Sequence, residues 1–509
     1  MPVIVAADGQ QTQITIPSGS TVVEALQAAH VELSKLDRVE PPLYSKLSDG
    51  INVKVIRVVE ELYTKEIHLP FEHQELKNEA LPEGEKRLSQ PGENGLSEIT
   101  YRREIEDGIE VINEPIKTVI IKEAVPEVMM VGTNSSFTAL NIPGKIAYLS
   151  AGNAWIMEVS TRNRFCAVST GDLDGRIFTL SRNGTYLLFT RFTDEANQIN
   201  NLWMADLSAN PIRLIDLKIR NVVHYAEFSG DSSQVAYSTA EWREAAPGWQ
   251  ANNDLFTLDI AGENTSGLTE QTVGVNSGGV YGWWGTQYAW SPDQVQFLFA
   301  QPDAIGLIDE QSGSQTRLLS ILPYQTNGDW AWVPGVAWSP DGQVVYTINH
   351  ILSGGETNGE SQQFDLLGIP LTGGSPISLV EDVGMFAYPV VSPVIRTANV
   401  YDDESGSNVE QDTFYVAYLQ AIDPSVSERS AYWLTVMDRD GSNQKNLFPP
   451  QDTTGLEPQQ VAWSPAGVGI GGNYAIAVIY NGNIWIVDAE TSAAQQITGD
   501  GLTSRVDWR

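Results

Sequence analysis

The stretch VAWSPDG, residues 336–342, is a short apolar run that ends on tryptophan and reverses through Ser-Pro-Asp-Gly. Near copies stand at 288–294 (YAWSPDQ) and 461–467 (VAWSPAG), looser ones at 178–184 (FTLSRNG) and 226–232 (AEFSGDS), and VVSPV around Val391 is a sixth. With Leu180, Phe228, Trp290, Trp338, Val391 and Trp463 taken as equivalent, the steps are 48, 62, 48, 53 and 72 residues. A four-stranded propeller blade occupies roughly 40–50 residues, so these steps describe blades with insertions. Ring closure gives a second test. The first blade (KIAYLS, AWIMEVS, RFCAVST) shows three strands, and SRVDWR at 504–509 reads as a lone first strand with Trp508 in the aromatic position. The expected blades are 144–170 with 504–509, then 176–217, 222–270, 287–321, 335–380, 386–449 and 460–499, with six or eight blades as alternatives. Asp293 and Asp341 are expected to cap their own turns.

Upstream, PVIVAAD and TQITIP flank Asp8-Gly9, a dipeptide suited to a tight hairpin. In STVVEALQAAHV, Thr21 and Glu24 have capping-box spacing, and Val22, Val23, Leu26 and Ala29 fall at helical spacing. INVKVIRV after Asp49-Gly50 returns to strand alternation. Strand, strand, helix, strands is the order of a ubiquitin-like β-grasp. Through the DG hairpin, the STVVEAL helix and DGINVKV, this segment resembles the ubiquitin-like module of bacterial resuscitation-promoting factors.

From Glu61 to Thr133 charged and apolar residues alternate with no sustained helical period, which predicts thin, solvated β-structure. Gly84, Gly92, Gly95, Gly108 and Gly132 punctuate it, expected where strands reverse with positive φ. Their spacing resembles the five-glycine (G5) domain of bacterial surface proteins, a family thought to bind N-acetylglucosamine-containing wall polymers. The alternative is that the segment is only a spacer. Residues 1–134 hold 13 basic and 23 acidic groups, so any glycan contact there would use stacking and hydrogen bonds rather than charge. The SPDG repeat, in turn, resembles the propeller of the periplasmic TolB protein and its relatives. The predicted organisation is therefore mainly β: a β-grasp module at 1–60, a five-glycine domain at 61–134 and a propeller of about seven blades at 135–509, closed by the C-terminal strand.

Composition limits the partners. With 64 acidic against 30 basic residues, most of the surface repels a phosphate backbone, which excludes nucleic acid and anionic membrane as bulk partners. The single cysteine, Cys166, excludes an intrachain disulfide or a cysteine zinc cluster. No stretch is apolar for the roughly 18 residues of a membrane helix. MPVIVAADGQ lacks the pattern of a signal peptide. Either a cytosolic protein or a trimmed exported one fits, and the three modules favour a bacterial extracellular or cell-envelope protein.

The long insertions fall mainly between the second and third strands of a blade, or between one blade and the next, and so on one face. They are EWREAAPGWQANN (241–253), QTVGVNSGGVYGWWGTQ (271–287), LPYQTNGDWAWVPG (322–335) and HILSGGETNGESQQ (350–363). Trp242, Trp249, Tyr281, Trp283, Trp284, Tyr324, Trp330 and Trp332 lie in them and are the candidate partner-binding residues, able to stack on sugars or grip apolar side chains. The alternative is that they pack the loops onto one another. The opposite face carries one long loop, 393–412, where Asp402, Asp403, Glu404, Glu410 and Asp412 could hold calcium, although a solvated acidic loop explains them as well. Asp438, Asp440 and Asn443 read as a hairpin turn.

No G-x-S-x-G elbow occurs, no hydrolase domain follows the ring, and only His224 and His350 lie in the propeller. The expected protein is thus a non-catalytic surface protein without a required cofactor. Its N-terminal modules would anchor or space it at wall glycan, and its propeller would meet a glycan or a surface protein. A hydrolase or lyase acting on wall polysaccharide, and a self-associating subunit of a surface layer or filament, are the alternatives.

Overall fold

Asp8 and Gly9 both adopt left-handed backbone, φ 54° and 72°, as a two-residue hairpin turn requires, and Pro2–Ala7 pairs antiparallel with Gln10–Thr15 around them. The helix Val22–Ala28 begins at Thr21, whose N–H donates to Glu24 Oε2 at 2.8 Å. It buries Val22, Ala25 and Leu26 against Val3, Val5, Val53 and Val55. Pro2–Ala7 also runs parallel to Asn52–Ile56, which completes the β-grasp order.

The computed structural model describes residues 1–78, 81, 84–133, 137–260, 269–326, 328–352, 361–402, 407–468 and 472–509. The chain forms two compact units, Met1–Leu76 with Arg87–Met130, and Lys77–Lys86 with Val131–Arg509.

In the first unit the Arg57 guanidinium braces the β-grasp, donating to Asp8 (2.7 Å), to Asp37 (2.6 Å) and to the Glu32 carbonyl (2.7 Å), while its backbone N–H ties the module to the next segment by donating to Asp107 Oδ1 (2.9 Å). Beyond it, Val58–Leu69 pairs with Gly95–Glu106 over twelve residues without a slip, and Ile109–Lys122 forms the third strand with three register shifts. This sheet is a single layer. Ile109, Ile116, Ile120 and Ile121 stay exposed, so backbone ladders and cross-strand pairs rather than a core hold it. Those pairs include the stacked Tyr63 and Tyr101 and the ion pairs Arg103–Glu61 and Arg102–Glu114. A second three-stranded sheet has the order His73–Asn78, Glu127–Gly132, Lys86–Gln90. The expectation of positive φ at the glycines holds at Gly84 and Gly108 only. Gly92 is glycine because a Cβ would lie 2.2 Å from the Phe71 ring, and Gly95 because a Cβ would lie 2.5 Å from the Ala124 nitrogen. Close approach, not chain reversal, selects these two.

Among the described residues the propeller has, beside two small hairpins, seven blade sheets. Their inner strands are Thr503–Trp508, Leu173–Leu180, Ala226–Phe228, Gln287–Trp290, Val336–Trp338, Val390–Val391 and Ala462–Trp463. Contacts join the inner strands of neighbouring blades, the third and fourth through the Trp290 N–H donated to Glu227, and Thr503–Trp508 touches both Leu173–Leu180 and Ala462–Trp463. It also pairs antiparallel with Asn141–Ser150, so the first blade is completed from the far end of the ring. Lys145 and Arg509 exchange backbone hydrogen bonds of 2.6 and 3.0 Å there, and Trp508 Nε1 donates to the Pro143 carbonyl at 2.8 Å. AWIMEVS and RFCAV lie on one strand, Asn153–Val168, so the expectation of three strands before the closing one is corrected: the first blade's sheet has three strands in all among the described residues.

The repeated turns have a shared chemistry. Ser181, Ser229, Ser291 and Ser339 each donate Oγ–H to the Asn or Asp two residues on, at 2.5–2.7 Å, and accept an N–H from five residues on, at 2.9–3.1 Å. Asp293 and Asp341 are turn caps, as expected. Between blades, Trp338 Nε1 donates to the Ala289 carbonyl (3.2 Å) and Trp463 Nε1 to the Val390 carbonyl (3.0 Å). The aromatic position thus fills the space between blades and stitches them together.

One expectation is corrected here. Residues 393–412 do not form a long loop, because Arg396–Asp402 and Ser407–Thr413 pair antiparallel as a hairpin. Asp402 and Glu410 lie on its ladder, Asp412 accepts the Thr397 hydroxyl at 2.6 Å, and Asp403 and Glu404 lie outside the described residues. Among the described residues no group of three or more His, Cys, Asp or Glu is arranged to hold a metal ion.

Candidate functional site

Ala240–Trp242 and Trp249–Ala251 fold the third blade's insertion into a small hairpin that sets Trp242 opposite Trp249. Their fates differ. Trp249 is 5% exposed, wedged against His224 (4.6 Å between ring centroids) and Trp284 (4.9 Å), whereas Trp242 is 40% exposed. Trp283 stands edge-on to Trp284 at 5.8 Å, and its carbonyl accepts the Ala251 N–H at 3.0 Å, which ties the loop between blades three and four to the hairpin. Trp283, Trp284 and Tyr281 are partly exposed, and Tyr281 has left-handed backbone, φ 57°.

A polar clamp sits beneath this patch. Asn253 donates Nδ2–H to the Gly282 carbonyl (2.9 Å) and accepts the Thr286 hydroxyl (2.8 Å), while Asn276 donates to the Asn253 carbonyl (2.6 Å). Blade three thereby holds the loop before blade four, and the exposed tryptophans need little further ordering on binding a partner. His224 closes the inner side. Burial foremost, and the charge of Arg176 second, push its pKa down to about 3, and its Nε2 has no hydrogen-bond partner. The ring is a neutral wedge. Gly285 faces it so closely that a Cβ would fall 2.4 Å from His224 Cδ2. Asn253 did not stand out in the sequence, and His224 did so only as one of two propeller histidines, since each acts through residues of the following loop.

The other candidates pack inward. Tyr324 and Trp332, 1% and 2% exposed, lie in the core with Phe364, and Trp332 Nε1 donates to the Met385 carbonyl at 2.8 Å. Tyr324 OH donates to Glu428 at 3.0 Å. Trp330 stacks on Phe386 at 6.0 Å. The expectation of one aromatic face across all eight residues is therefore corrected: Trp249, Tyr324 and Trp332 offer no surface. Tyr324 and Trp332 share a core to which the segment 383–387 supplies Val383, Met385 and Ala387, whereas Trp249 is buried with Val223, Ala240 and Ala251.

Two carboxylates on inner strands also bear on chemistry. Glu227 has its pKa raised, by burial first, with Arg509 acting against that shift, and Asp507 is nearly buried. Both already serve the ring. Asp507 Oδ2 accepts the Leu180 N–H (2.7 Å) and the Thr179 hydroxyl (3.0 Å), and Glu227 accepts the Trp290 N–H and the Tyr225 hydroxyl. Each carboxylate caps a strand of the next blade.

The fold and this site define a multi-module β-protein with a tryptophan-bearing propeller face. Comparison with known proteins agrees with that composition. Residues 60–134 match the G5 domain family and residues 3–43 the G5-linked ubiquitin-like domain. The chain is 25% identical over 149 residues to resuscitation-promoting factor RpfB of Mycolicibacterium smegmatis, covering 29% of this chain and 39% of that protein. It is 25% identical over 158 residues to resuscitation-promoting factor Rpf2 of Corynebacterium glutamicum, covering 31% and 41%. The chain thus spans about two-fifths of the length of these relatives. A putative TolB structure from Agrobacterium tumefaciens aligns over 62% of this chain and 90% of its own, at 18% identity and a TM-score of 0.33. Among the described residues no helix is long and apolar enough to cross a membrane.

Proposed function

We propose that this chain acts as a non-catalytic, cell-wall-associated surface protein whose first unit anchors or spaces it at wall glycan and whose propeller binds a partner through Trp242, Tyr281, Trp283 and Trp284. The observation that carries the reading is the pair Trp242 and Trp283: aromatic side chains left partly exposed on loops that Trp249, His224 and Asn253 hold in place. Exposed aromatic rings on a rigid frame suit sugar rings or apolar side chains. The G5 match and the partial similarity to resuscitation-promoting factors support a wall setting.

The test uses the full chain and its Trp242→Ala and Trp283→Ala variants, with purified peptidoglycan in sedimentation and soluble wall fragments in calorimetry. The expected result is retention on intact wall by every form, and loss of fragment or partner binding in the tryptophan variants. Absence of the chain from sedimented wall would remove the anchoring half of the proposal. Fragment binding unchanged in both variants would remove the aromatic face. Release of reducing or unsaturated sugars during incubation would replace the non-catalytic reading by an enzymatic one.

A further inference from the structure

On the side of the ring opposite the tryptophan loops lie the turns that join each blade's inner strand to its second strand. In six blades the turn starts with serine at 181, 229, 291, 339, 392 and 464. The first blade has no such turn, because its inner strand is Thr503–Trp508 and its second is Asn141–Ser150. At that place there is a cavity of 690 Å³, within the size range of small-molecule sites. Lys145, Arg182, Arg509 and Glu158 are the charged side chains on its wall, with Ile142 and Pro465 among the apolar ones.

Lys145, Arg182 and Arg509 line the cavity in a chain where acidic residues outnumber basic ones by 64 to 30. Glu158 lies beside Lys145, and Asp507 and Glu227 act on Arg509, so the cavity is a local gathering of cations of which Arg182 alone faces no carboxylate among the described residues. Arg182 is the telling residue. It follows the turn serine, a position that the other five turns fill with Gly230, Pro292, Pro340, Pro393 and Pro465. Glycine and proline there serve the turn, and an arginine does not. It is exposed and lines the cavity, with one guanidinium nitrogen reaching towards Gly230 in the next blade's turn, and among the described residues it makes no ion pair or hydrogen bond that would explain it as structural. Lys145 Nζ is held towards the cavity by the Gly184 carbonyl at 3.0 Å, with Glu158 Oε1 3.8 Å away. Arg509 is fixed by its backbone exchange with Lys145, and its Nε lies 3.5 Å from Asp507 Oδ1.

We propose that this cavity binds a small molecule through a phosphate or carboxylate group, gripped by Lys145, Arg182 and Arg509. Guanidinium groups pair with either oxyanion through two parallel hydrogen bonds, and the ammonium adds a point charge. The walls formed by Ile142 and Pro465 would contact the uncharged remainder of the ligand. Glu158 opposes the anion and tunes its affinity.

Calorimetry on the full chain at low salt, with inorganic phosphate and with citrate as probes, tests this. Saturable binding of at least one probe is expected, weakened about tenfold by Arg182→Ala and by Lys145→Gln and tightened by Glu158→Gln. A preference for phosphate or for citrate identifies which oxyanion the natural ligand carries. Among the described residues Arg182 has no partner to lose, so unchanged circular dichroism in Arg182→Ala keeps the comparison clean. The proposal is overturned if neither probe binds saturably by about 10 mM, or if affinity is the same in the wild type and in both cation variants. Trp242→Ala should leave probe binding unchanged, which separates failure here from failure of the aromatic face.

Discussion

At about pH 4.5, well below the ordinary histidine range, the imidazole of His224 is expected to remain uncharged in the folded protein. The ring lies against Trp249 and Trp284 with Arg176 as its charged neighbour, and its pKa is pushed from 6.5 down to about 3. A histidine shifted downward binds its proton more readily in the unfolded chain. Its contribution to stability is thus present above the unfolded pKa and is lost as pH falls from about 6.5 towards 3. Between about pH 7 and about pH 4.5 this single ring accounts for a loss on the order of 2 kcal/mol, approaching one proton's worth of slope over the last two units. Other groups titrate over the same range. Asp206, Asp231 and Asp440, with lowered pKa values, also destabilise the fold on acidification, and Asp254 and Glu227, raised by burial, act in the opposite sense. The informative quantity is therefore a difference. All 14 tryptophans lie between Trp155 and Trp508, so fluorescence during urea unfolding reports the propeller alone. Wild type and His224→Leu are compared at both pH values, and the variant should lose less on acidification by an amount on the order of 2 kcal/mol. Equal losses within about 0.5 kcal/mol, or an imidazole that titrates near 6.5 by NMR in the folded chain, would refute the buried neutral wedge.

Trp332→Ala should destabilise the propeller by about 3–5 kcal/mol in the same unfolding assay, while Trp242→Ala should change it by less than about 1 kcal/mol; the reverse order would contradict their burial. Gly285→Ala brings a Cβ onto His224 and should cost more stability than Gly342→Ala, which meets open space, although both are strained by positive φ. Asp507→Ala removes the acceptor for the Leu180 N–H across the closure seam. It should cost about 1–3 kcal/mol and speed hydrogen exchange at Leu180, which amide exchange by mass spectrometry can read.

Much of this architecture was legible in the sequence because it rests on local chemistry. Asp8-Gly9 can turn as it does with little strain, Thr21 and Glu24 cap one helix, and Ser-x-Asp turns satisfy their own backbone wherever they occur. The expected blade limits fall within a few residues of the observed strands for the same reason. The candidate site was legible only as a set of loops. Trp242 and Trp332 sit in similar aromatic, glycine-containing insertions, yet one faces solvent and the other is covered by the segment 383–387. The acidic stretch 393–412 read as a loop because acidic residues with Ser and Gly crowd its middle, and only the cross-strand pairing of Arg396–Asp402 with Ser407–Thr413 makes it a hairpin. The five glycines were recognisable by spacing, but the need for Gly92 comes from Phe71 and for Gly95 from Ala124.

By itself, then, the sequence determined the module order, the repeat, the closing strand and the acidic field, all of which follow from periodicity, turn chemistry and composition along the chain. Tertiary structure alone decided which tryptophans are core and which are surface, why His224 is neutral, and why Arg182 stands at a cavity. Each of these depends on neighbours contributed by another blade, and the free energy of burying or charging a side chain is set by those neighbours rather than by the residues beside it in sequence.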